Sequence, residues 1–192
     1  MNGTSATRRI AGFRLIHALV LMAASVGIVN AQTPAPPEAP GMLNAVDFNF
    51  VGQANLGAPF QVDSGRIAEA KSSNAAIRSY AHLMVTSHVP VVDALNAILQ
   101  RKNVTPSNPL LHGAYDAMLF TLYAEHGTAF DQTYVKGQVE YQKGNAALFQ
   151  QEIQNGSDPD LRQFARETLP KIEDHLQRAL NLAGAASVGS TD

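Results

Sequence analysis

Cysteine and tryptophan are absent from this 192-residue chain, aromatic residues make up only 7% of it and charged residues only 16%. Without cysteine there is no disulfide scaffold, no thiolate ligand for zinc or an iron–sulfur cluster, no thiol nucleophile and no lipid-modified N-terminal cysteine. The formal charge is −2, with no basic array, so a nucleic-acid partner is not expected. No Gly-rich phosphate loop, nucleophile elbow or His-Glu-x-x-His motif is present either. What these absences leave is one modest domain, 45% hydrophobic.

The first segment reads as an export signal. Arg8, Arg9 and Arg14 occur without any acid, and the apolar run Leu15 to Val29 follows them. That run falls short of the roughly 20 residues a spanning helix needs, and it ends in Val29-Asn30-Ala31, a small-x-Ala cleavage signal. A signal peptide over residues 1–31 is therefore expected, cut after Ala31; Thr7-Arg8-Arg9 leaves general and twin-arginine export both open. Its removal leaves about 11 basic against 16 acidic residues, a charge near −5. Electrostatic docking on anionic lipid is then disfavoured, and no transmembrane span is expected in the mature chain. Residues 32–45, opening Gln32-Thr-Pro-Ala-Pro-Pro, read as an extended Pro/Ala-rich linker, and residues 185–192 as a flexible tail.

Residues 46–184 carry apolar positions at intervals of three and four with no sustained alternation, which predicts an all-α bundle. Capping signals divide it. Asn74 opens a second helix, Asn108-Pro109 a third, Thr128 with Asp131 a fourth, and Asp158-Pro159 a fifth, while Gly127 and Gly156 mark stops. Helices are expected near 46–73, 74–102, 109–126, 129–154 and 159–183, the short third one being a lid or crossover.

Each of the four long helices places one large polar residue in its apolar seam. The registers are Phe50, Ala54, Gly57, Gln61, Ser64, Ala68; Ile77, Ala81, Met84, His88, Val91, Leu95; Val135, Val139, Gln142, Ala146, Phe149; and Leu161, Ala165, Thr168, Ile172, His175, Ala179. Gln61, His88, Gln142 and His175 stand near the middles of their helices, so antiparallel packing would bring them into one layer. Burying an unpartnered amide or imidazole costs about 1–3 kcal/mol. Mutual hydrogen bonds, with a bridging water where needed, would relieve that cost. Pro59, Pro90 and Pro170 lie close to three of the four, and Gly137 and Gly144 flank Gln142, so kinks are expected there, unless Pro59 ends a short first helix.

From about Phe48 to Leu182 the chain resembles an exported bacterial ferritin-like family catalogued only as a domain of unknown function, whose members are often labelled predicted outer membrane proteins. The segments that carry the resemblance are Arg78-Ser-Tyr-Ala-His-Leu-Met-Val-Thr-Ser-His88, Phe130-Asp-Gln-Thr-Tyr134 and Thr168-Leu-Pro-Lys-Ile-Glu-Asp-His175. It implies a ferritin-like four-helix bundle with one additional shorter helix, in the periplasm or associated with the outer membrane. The family pattern commonly has Glu in helix one and His in helix four, where this chain has Gln61 and Gln142; His88 and His175 match its retained histidines. Val85 and Ile172 stand three residues before those histidines, so the Glu-x-x-His pairs of di-iron bundles are missing. No residue three or four positions from any of the four is acidic.

The sequence therefore points to a non-catalytic structural or interaction module, with no catalytic residues and no cofactor expected. Its partner would be an unidentified envelope protein or a small ligand, in an undetermined oligomeric state. The alternative is a metal-binding bundle in which His88 and His175 ligate a divalent transition metal. His82 is expected at the surface, His112 in a first turn, His126 at a helix end, Glu173-Asp174 on a solvated edge, and Tyr134 packed.

Overall fold

The computed structural model describes residues 43–106 and 109–188, and the side chains of 43–106 and 113–185. The proposed signal peptide and most of the linker lie outside these residues. Five helices follow in order: α1 Ala45–Lys71, α2 Ala75–Lys102, α3 Pro109–Ala124, α4 Gly127–Asn155 and α5 Pro159–Val188, with no strand among the described residues.

Local chemistry sets the ends. Asn44 and Asp47 form a capping box on α1, the Asn44 amide oxygen accepting from the backbone of Val46 and Asp47 while Asp47 accepts from the Asn44 N–H. Asn74 caps α2 and Asp158 caps α5 in the same way. Asn103 ends α2 in the left-handed region, φ 53°, one of the few conformations in which Asn substitutes for Gly. The Thr128 cap expected for α4 is not used. That helix begins at Gly127 behind His126, which makes no side-chain cap, and α3 stops at Ala124. Gly127 is thus a start signal: its φ of +60° is open to glycine and costly for other side chains. Pro59, Pro90 and Pro170 all lie inside continuous helices, so Pro59 does not end α1. The backbone of α5 stays helical to Val188, beyond the expected boundary at 184.

The topology follows from which ends meet. The Asn44 amide donates to the carbonyl of Asn155, bringing the start of α1 to the end of α4. Lys102, ending α2, pairs with Asp158 at the start of α5 over 2.7 Å. Lys71, ending α1, donates to the carbonyls of Leu122 and Tyr123 near the end of α3. Short turns make α1–α2 and α4–α5 antiparallel hairpins, so the order is up-down-down-up, with α3 carrying the chain back along the bundle. One long crossover of this kind is the connectivity of ferritin-like bundles. Among the described helices α2 alone is long and apolar enough to cross a membrane by length and composition; its seam is packed inside the bundle.

The core divides into two apolar clusters. One gathers Phe50, Leu95, Phe149, Leu161 and Phe164, with Phe50 and Phe149 edge to face at 4.8 Å; the other gathers Ile67, Met84, Phe130, Tyr134 and Ala179. Between them lies the candidate site.

Candidate functional site

On every long helix the gap between the two apolar clusters is occupied by the large polar residue of its seam. In α1 the clusters end at Ala54 and resume at Ile67, with Gln61 between; in α2 His88 falls between Met84 and Leu95. In α4 Gln142 falls between Val139 and Leu148, and in α5 His175 falls between Ile172 and Ala179. All four are interior: Gln61 and Gln142 are 0% exposed, His88 and His175 4%.

The four do not bond one another as expected. Both amide atoms of Gln61 lack any protein partner, as do Gln142 Oε1 and His175 Nδ1. Met84, fully buried one turn before His88, takes one donor from each of two of them: its carbonyl accepts from His88 Nδ1 at 2.9 Å and its sulfur accepts from Gln142 Nε2 at 3.4 Å. A carbonyl only accepts, so in the neutral ring the His88 proton sits on Nδ1 and the lone pair on Nε2. The His88 and His175 rings meet with centroids 5.3 Å apart and planes tilted by 37°. A cavity of about 10 Å³ adjoins His88, Tyr141, Asn145 and Thr168, about the space of one water molecule.

Burial sets the electrostatics of this layer. Desolvation drives the His88 pKa down to about 4, against a smaller opposing effect of the bond to Met84. His175 is also lowered to about 4, first by desolvation and then by the charge His88 would carry. Both rings are therefore neutral near pH 7, with lone pairs to offer and no carboxylate in the layer. One turn away, Tyr80 places its hydroxyl 3.3 Å from both Gln138 Oε1 and the His175 carbonyl, joining α2, α4 and α5. Gln138 is as buried as the seam residues, yet lies one turn off the register that singles out Gln142.

The remaining sequence candidates fall elsewhere. His82 is exposed and pairs with Glu69 at 2.7 Å. His126 is exposed at the start of α4, and the His112 side chain lies outside the described residues. Glu173 and Asp174 are exposed, Asp174 pairing with Arg178 at 2.7 Å. Tyr134 is buried, stacked with Phe130 at a centroid distance of 6.2 Å, and its hydroxyl has no partner.

A second buried polar cluster, with no signal in helical periodicity, closes the base of the bundle. Asp47 accepts from the backbone of Asn44, Ser157 and Asp158 and from the Ser157 hydroxyl. Burial pushes its pKa up, but these hydrogen bonds outweigh burial and hold the carboxyl below its ordinary value. Glu152, fully buried beside it, is pushed up to about 8 by desolvation and by the Asp47 carboxylate. A protonated Glu152 is the donor that Asp47 can accept. Gly156 abuts the Glu152 carboxyl with no room for a Cβ. Among the described residues no group of three or more His, Cys, Asp or Glu side chains is arranged to hold a metal ion. Within the Gln/His layer the two imidazoles are the side chains placed closest to a shared metal, and they are two, short of a full ligand set.

Comparison with known proteins gives one match. The model of the domain of unknown function DUF4142 covers residues 32–182, most of the chain, which therefore belongs to that family. Neither the curated proteins nor the solved structures give a match.

Proposed function

We propose that this DUF4142 protein is an exported cell-envelope module that works by binding a partner rather than by catalysis, its Gln/His layer setting the register in which the four long helices pack. The observation that carries the reading is the placement of Gln61, His88, Gln142 and His175 in the gap between the two apolar clusters on all four helices. Sliding one helix by a turn would put its polar residue against apolar neighbours and apolar residues into the polar layer, which penalises alternative registers. The layer suits that role better than acid–base chemistry, because its imidazoles are desolvated and face no carboxylate. The outer face of α3 is the surface proposed for the partner, with Phe120 74% and Tyr123 65% exposed. The export part rests on residues 1–31. The test is thermal: full helicity and an unchanged melting temperature are expected in excess chelator, and a drop of about 10 °C or more overturns the reading.

One observation favours a second reading, a metal-binding bundle. His88 has its Nδ1 proton fixed by a backbone carbonyl, the arrangement that orients metal-ligating histidines, and its ring faces His175. Gln61 and Gln142 would then present amide oxygens. Metal analysis of tag-free protein discriminates. Stoichiometric metal that disappears in His88→Ala supports this reading, and protein that takes up none after incubation with zinc or copper removes it.

A further inference from the structure

A groove of about 550 Å³ runs between α1, α3 and α4, a volume in the range of small-molecule sites. It is a different place from the polar layer, but shares a wall with it: Tyr141 and Asn145 line both the groove and the small cavity at His88. Three aromatic rings are among the residues that line the groove. Phe60 and Tyr115 are stacked at 4.6 Å, nearly parallel, and Tyr141 is tilted against Phe60 at 5.7 Å.

Two features of this groove go beyond packing. The first is a pair of phenol groups converging on one glycine. The hydroxyls of Tyr115 and Tyr141 both reach Gly57 of α1, and a Cβ at Gly57 would lie 3.3 Å from the Tyr115 oxygen and closer still to that of Tyr141. Neither hydroxyl has a hydrogen-bond partner among the described residues, although desolvation pushes the Tyr115 pKa up to about 12 and that of Tyr141 well above its ordinary value. The second is missing bulk. Gly144 lines the groove, and a Cβ there would meet no atom within 4 Å; Gly137 leaves room for the flexible Met118 side chain, whose terminal methyl lies where a Cβ would stand.

We propose that this groove binds a small, flat, uncharged aromatic molecule carrying a carbonyl-type acceptor, its ring against Phe60, Tyr115 and Tyr141 and its acceptor taking a hydrogen bond from the phenol groups. Flat rings are favoured because the wall is aromatic and offers offset or edge contacts. An acceptor is favoured because both phenol groups carry a proton that no atom among the described residues accepts. An uncharged ligand suits a rim holding both Lys136 and Glu140.

The full-length mature protein is titrated with 2-acetylnaphthalene by calorimetry, with 2-ethylnaphthalene as the analogue lacking the carbonyl. Saturable binding at one site per chain is expected, about fivefold or more weaker for the ethyl compound. Gly144→Leu should weaken binding about tenfold or more while leaving the melting temperature equal or higher, since it fills the groove and removes a helical glycine. Gly113→Leu is the control: its Cβ also meets nothing within 4 Å, it lies outside the groove, and it should leave binding unchanged. Absence of saturable binding, equal affinity in Gly144→Leu, or equal loss in Gly113→Leu overturns the site; equal affinity for the two compounds overturns the phenol assignment. None of these results depends on the chelator test of the polar layer.

Discussion

The imidazoles of His88 and His175, brought from antiparallel α2 and α5, stand 5.3 Å apart in the gap between the two apolar clusters. A proton on one disfavours a proton on the other, and desolvation disfavours both. The pair is thus an acid-sensitive element, while Glu152 at the base of the bundle has the opposite dependence on pH. The two must be separated before either is measured.

For the histidines the folded pKa of about 4 lies below the ordinary 6.5. Below pH 6.5 the unfolded chain gains protons that the fold refuses, so the contribution complete above that pH is lost as pH falls toward 4. In a Glu152→Gln background, where only the histidines and surface groups respond, the melting temperature should fall steadily from pH 6.5 to 4.5. A flat profile in that background contradicts neutral burial of the pair.

Glu152 shows the reverse sign. Its folded pKa of about 8 lies above the ordinary 4.5, so between these values the fold keeps a proton that the unfolded chain has released. Stability contributed by the protonated carboxyl is complete below pH 4.5 and is lost as pH rises through 8. Glu152→Gln stays neutral throughout and can still donate to Asp47, so its advantage in melting temperature over the parent should grow from pH 5 to 8.5. Asp47, held below its ordinary value, titrates beneath this window. A constant difference between the two proteins would show that Glu152 is ionised in the fold at neutral pH.

Gln61 has both amide atoms buried and unpartnered. Gln61→Leu, similar in volume, should raise stability by about 1 kcal/mol, read as a higher urea midpoint. Destabilisation instead would mean that the amide is engaged by a water or a ligand in solution.

Gly57 is held open by the Tyr141 hydroxyl above it. Gly57→Ala should cost about 1–3 kcal/mol through displacement of that ring, despite the gain in helix propensity. Adding Tyr141→Phe should recover part of the loss, because the clashing atom is gone; additive single-variant effects in the cycle would rule out the contact.

How much of this was legible in the sequence varies with the range of the interaction. The helices and the interior placement of Gln61, His88, Gln142 and His175 follow from three-and-four spacing, because burial of a continuous stripe is a local property of each helix. The hydrogen bonds of the layer were not legible. They depend on Met84, an apolar residue by composition, whose carbonyl and sulfur take one donor from His88 and one from Gln142 and leave Gln61 without a partner. The clasp of Asp47, Glu152 and Ser157 joins residues about 100 positions apart, and a buried carboxylate is invisible to a pattern that reads acids as solvated. Asn44 with Asp47 three residues on was readable as a capping box, the one local signal that pointed there. Gly127 misled because glycine both stops and starts helices, and only φ distinguishes the uses.

The crossover has a directional consequence. Because α1 begins beside the α4–α5 turn and ends beside the tip of α3, Leu43 and the Phe120–Tyr123 face stand at opposite poles of a rod whose longest helices span about 40 Å. A molecule seated on the Phe120–Tyr123 face would therefore be kept a full helix length from the Asp47–Glu152 carboxyls, so acid or base acting on that pair can loosen one end of the bundle without touching the other.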